Sequence, residues 1–128
     1  MDITENVKFF ENACAVEGIN PAEALPYVPP VTADQRSINA YAKLIIITRV
    51  LNEGWVPDFD DSDEWKYFPW FYMQSVAAGG PGFSYHVFSC DVSHSFVGAR
   101  LAFKSEELAE YAANQFLDIY EDFMVIPK

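Results

Sequence analysis

Between Trp65 and Met73 the chain reads WKYFPWFYM, six aromatic rings in nine residues. Bulky planar side chains favour a pleated, extended backbone, and Pro69, with no N–H to give to a ladder, restricts such a strand to an edge or a bulge. Alternation sends Trp65, Tyr67, Phe71 and Met73 to one side and Lys66, Phe68, Trp70 and Tyr72 to the other. A layer of helices covers only one of those faces. The second is covered by a further element, met by another protein, or left as an apolar patch of the kind that marks interaction surfaces.

The flanking sequence supplies the helices. Ser105 is an N-cap with Glu106 and Glu107 in the first turn behind it. Leu108, Ala112, Phe116, Ile119 and Phe123 then form one stripe and Glu107, Glu110, Asn114, Asp118 and Glu121 the opposite one, which predicts a helix over 106–122. Thr32 with Gln35 forms a capping box and Gly54 a left-handed stop, which predicts a helix over 33–53 despite the β-branched run Ile45 to Thr48. Its second half lacks a continuous polar stripe and is expected to be buried nearly all round. Asp2 and Glu5, followed by Val7, Phe10, Cys14 and Gly18, predict a first helix over 4–17. Pro26, Pro29 and Pro30 then form a rigid connector.

Phe83–Cys90 and Ser95–Lys104 read as two more strands around a turn at Asp91–His94, with Val97, Ala99, Leu101 and Phe103 facing the core. The expectation is therefore an α+β fold in the order α-α-β-β-β-α, an antiparallel three-stranded sheet packed with helices. At 128 residues the chain makes a single domain, 1–128, in which a helix and Pro-rich connector (1–31) pack on a 32–123 core.

Charge narrows the function. Nineteen acidic residues against eight basic ones give a formal net charge of -11, which disfavours direct binding to nucleic acid or to an anionic membrane. Cys14 and Cys90 stand far apart, in no metal or redox spacing, and are expected as free thiols in a reducing compartment. MDITENVKFFENA has no secretion-signal pattern and the longest apolar run is Leu44 to Ile47, so the expected location is the cytoplasm, with no membrane contact.

Few residue sets suggest chemistry. Asp58, Asp60, Ser62 and Glu64 have the alternate spacing of a calcium loop, but Asp63 stands where the turn needs glycine and Pro69 where it needs glutamate, so the run reads as a solvated acidic loop. His86, Cys90 and His94 recur every four residues, and a hairpin could gather such ligands for zinc or pair a cysteine with a base, but no fourth ligand is evident. Ser84, Ser89 and Ser95 lack a nucleophile-elbow turn, and Gly79, Gly80 and Gly82 lack phosphate-loop spacing. No catalytic residue and no cofactor is implied. The surplus rings Phe68, Trp70 and Tyr72, with Asp60, Asp61 and Asp63 beside them, are the expected contact surface for a protein partner or a second copy.

Three blocks occur in order: LNEGWVPD (51–58), KYFPWF (66–71) and VGARLAFKSEELAEYAANQFLDIYEDF (97–123). Together they resemble an uncharacterised family of small proteins and C-terminal segments encoded by phages and mobile elements of gut bacteria. The resemblance implies such an origin and no particular reaction. The leading expectation is a non-catalytic interaction module. The alternatives are an acidic inhibitor that imitates nucleic acid, with Glu107, Glu110, Asp118, Glu121 and Asp122 in a line, and, more remotely, a small metal or Cys-His enzyme.

Overall fold

Helix α3 (Ala33–Leu51) is the axis of the helical layer, with α2 (Phe10–Glu17) and α5 (Leu117–Met124) packed on it. The computed structural model describes residues 2–127. The start of α3 is set locally: Thr32 Oγ1 accepts the Gln35 N–H at 3.1 Å, and Gln35 Oε1 accepts the Val31 N–H at 2.7 Å. Asn52 is its C-cap, and Gly54 follows at φ 88°. Leu44, Ile47 and Leu51 from α3 join Phe10 and Cys14 from α2 and Phe116 and Tyr120 from the C-terminal helices in one core. Burial raises the Tyr120 phenol above its ordinary range, and its hydroxyl finds no partner among the described residues.

Two expected helices are each divided. The first breaks into α1 (Ile3–Asn6) and α2 because Asn12 Oδ1 accepts from Lys8 N and Phe9 N at 3.1 and 2.9 Å and so opens a new helix. The Tyr111 hydroxyl, brought in by α4 (Glu106–Gln115), meets the Thr4 and Val7 carbonyls left at the end of α1. The last helix breaks at Phe116, whose φ of -113° and ψ of 33° leave the helical region while its ring goes fully into the core. A continuous stripe has one direction. The break lets α4 lie on the sheet and α5 on α3.

The α+β class stands, but the three-stranded sheet and the order α-α-β-β-β-α do not. Among the described residues there are five α-helices and a two-stranded antiparallel sheet, β1 (Lys66–Tyr72) with β2 (Ser84–Asp91). The expected third strand, 95–104, is mostly turn. Ser95 Oγ accepts the Gly98 N–H at 2.7 Å, Gly98 sits at φ 92°, and Ala99–Leu101 is a 3-10 turn. Alternating hydrophobicity continues across Gly98, whereas the backbone there is not extended. What survives is one rung: Phe103 exchanges both backbone bonds with Tyr67, at 2.8 and 3.0 Å. Asn52 bonds the chain on the other side of that rung.

A second buried asparagine works the same way. Asn39 accepts from Tyr27 N at 3.0 Å and donates to Tyr27 O at 2.7 Å, which fixes the Pro-rich connector against α3. No helix among the described residues is long and apolar enough to cross a membrane.

Candidate functional site

The hairpin has two unlike faces. Tyr67 and Phe71 turn toward the helices, where Phe71 stacks on Phe83 at 4.8 Å and lies 4.9 Å from Tyr120. Lys66, Phe68, Trp70 and Tyr72 turn the other way, and their burial falls along the strand. Lys66 and Phe68 are at 0% and 1% exposure, while Trp70 and Tyr72 are at 47% and 40%. Phe96, from the loop after β2, touches both rings at the step in this gradient. Its ring meets Phe68 edge-on at 5.9 Å and Trp70 at 5.6 Å, and Trp70 still keeps about half of its surface in water. Phe68, expected as a contact residue, is thus a core residue. Trp70, Tyr72, Val87 and Phe96, the last at 56% exposure, form the outward apolar patch. Phe96 and Val87 were not singled out by the sequence, because their neighbours in space are not their neighbours in the chain.

The acidic loop beneath this face is ordered. Asp58 Oδ1 accepts from Asp60 N and Asp61 Oδ1 from Asp63 N, each at 2.9 Å. Glu64 ties the loop together by accepting from Asp58 N at 2.7 Å and from the Trp55 indole N–H at 3.2 Å. At the centre is Lys66, which sequence reasoning passed over. Its buried ammonium donates to the Asp61, Glu64 and Val92 carbonyls at 3.2, 2.7 and 2.8 Å, lies 3.5 Å from Glu64 Oε1, and sits over the Phe59 ring. A cation of the chain itself therefore organises a loop whose spacing hints at an external one. Asp60, Asp61 and Asp63 remain exposed at its rim.

The residues considered for metal or thiol chemistry are spread out. Trp70 opposes Val87 and Phe71 opposes Tyr85, so His86 is an extra, bulged residue. Its ring lies outward, 4.3 Å from Tyr72. Cys90 opposes Tyr67 on the helix-facing side and is half-buried. His94 is exposed, and its Nδ1 lies 3.0 Å from Asp91 Oδ1. That carboxylate also accepts from the Ser93 and His94 amides at 2.8 and 2.9 Å. Its pKa is lowered to about 2, first by the Ser93 N–H and then by the His94 side chain. Among the described residues no three His, Cys, Asp or Glu side chains group as metal ligands do.

No family model, curated protein or solved structure matches the chain. The site therefore rests on its own geometry. The break at Phe116 also divides the carboxylates considered as a nucleic-acid mimic, with Glu107 and Glu110 on α4 and Asp118, Glu121 and Asp122 on α5.

Proposed function

We propose that this chain is a non-catalytic protein-interaction module, of the phage or mobile-element kind that its sequence blocks resemble, and that it meets its partner through the outward face of the hairpin. The observation that carries this reading is the contact between Trp70 and Phe96, two large rings held against each other yet each about half in water. Leaving half of a tryptophan exposed forgoes about 2 kcal/mol of burial, which a partner's surface recovers on binding. Rings already fixed by their neighbours lose little freedom in the complex. The exposed Asp60 and Asp63, in a chain of net charge -11, favour a partner whose apolar pocket has a basic rim.

A photo-crosslinking side chain at Val87, in the protein expressed in its own host, tests this. The expected result is one discrete adduct, lost when Trp70→Ala or Phe96→Ala is added and absent when the crosslinker stands at Asn114 on α4. An adduct of twice the chain's mass identifies the partner as a second copy. Adducts unaffected by either ring deletion would refute the reading.

A further inference from the structure

Helix α3 is buried nearly all round in its second half; only along Ile45 and Arg49 does it border a cavity. The cavity is open to solvent, has a volume of about 340 Å³ and is lined by Trp55, Val56 and Pro57 with Ala99 and Arg100. That volume lies within the range of small-ligand sites, roughly 300 to 1,000 Å³. Its walls are mainly apolar, and the Trp55 wall is fixed by the indole bond to Glu64. Two features of the lining point to a ligand. Thr48, one of the lining residues, carries a buried hydroxyl with no hydrogen-bond partner among the described residues, although buried hydroxyls almost always have one. Two of the chain's eight basic residues also meet at this one cavity. Arg49 is held by Glu17 through bonds of 2.6 and 2.7 Å, whereas Arg100 has no ion pair among the described residues.

We propose that this cavity is a binding site for a small amphipathic anion, an apolar body carrying one carboxylate or sulfonate. The body lies between Ile45 and Trp55, over Thr48, and the anion meets the Arg100 guanidinium. Charge complementarity selects the anion, because the surface of a chain at -11 otherwise repels one. The site shares no residue with the hairpin patch, so either can fail without the other.

The test is a fluorescence titration of the intact protein with 8-anilinonaphthalene-1-sulfonate, alongside its uncharged analogue N-phenyl-1-naphthylamine. Saturable 1:1 binding of the sulfonate is expected, weakened at least tenfold by Arg100→Gln while the uncharged analogue is unaffected. The Trp55 indole N–H resonance is expected to shift on binding, and that of Trp70 to stay. Ala99→Trp fills the cavity and is expected to abolish binding. Should that variant fold poorly, Val56→Glu, at an exposed position, sets a carboxylate against the anion and is expected to weaken it by a similar factor. Absence of saturable binding overturns the proposal. So does binding that survives Arg100→Gln and Val56→Glu, or binding that is lost in Trp70→Ala.

Discussion

The side-chain amide of Asn52 donates to the Ala102 carbonyl at 2.9 Å, and its oxygen accepts the Lys104 N–H at 3.1 Å. One side chain on the C-cap of α3 thus gives the 102–104 segment the donor and acceptor that a neighbouring strand would give. Asn52→Ala is expected to cost about 2 to 3 kcal/mol, because a buried carbonyl and a part-buried amide lose their partners together. Denaturant unfolding measures it. A loss below about 0.5 kcal/mol would mean that water takes over both groups.

Lys66 makes a comparable link from the strand side. Lys66→Met keeps the length of the side chain but leaves three carbonyls and Glu64 without their cation, so a loss of about 3 kcal/mol is expected. Asp60→Asn, on the exposed rim of the same loop, is expected to stay within about 0.5 kcal/mol. Equal effects would place the loop's order in its surface charge instead of its centre.

The C-terminal helices test the division between core and solvent. Phe116 is fully buried at the junction of α4 and α5, and Phe116→Ala is expected to destabilise by about 3 to 5 kcal/mol. Glu110→Ala on the exposed side is expected to stay within about 0.5 kcal/mol. A large effect of Glu110→Ala on folding would require a contact there that the isolated chain does not make.

Asp91 gives the fold an acid-sensitive element. Its carboxyl pKa is about 2 when folded against an ordinary value of 3.8, so the turn's contribution is fully present above pH 4 and is lost as the pH falls toward 2. Asp91→Asn cannot titrate. In thermal melts from pH 5 to pH 2 its midpoint is therefore expected to fall less than that of the parent protein. Parallel curves would remove Asp91 from the acid response.

Much of the helical layer was legible in the sequence because its signals are short-range. Thr32 and Gln35 cap α3 across three residues, Ser105 caps α4 in the same way, and Gly18 and Gly54 end helices by their own backbone freedom. The aromatic run at 65–73 likewise announced a strand with more rings than one face can bury.

What the tertiary structure decided lies where two groups distant in sequence compete for one place. The stripe from Leu108 to Phe123 is periodic throughout, yet the chain leaves the helix at Phe116 so that α4 and α5 can each lie on a different layer. The alternation from Val97 to Phe103 reads as a strand, but the partners on either side of Phe103 are Tyr67 and the side chain of Asn52, and neither extends beyond a single rung. Phe68 and Trp70 are equivalent by alternation and both meet Phe96, yet packing buries the first completely and leaves the second about half exposed. Lys66 looks like a solvent-facing break in an aromatic strand until Val92, far along the chain, closes its cage. Caps and propensities are satisfied by atoms a few residues away, so the sequence determines them. Which ring is covered, and which carbonyl meets which ammonium, depends on the packed geometry of the whole chain.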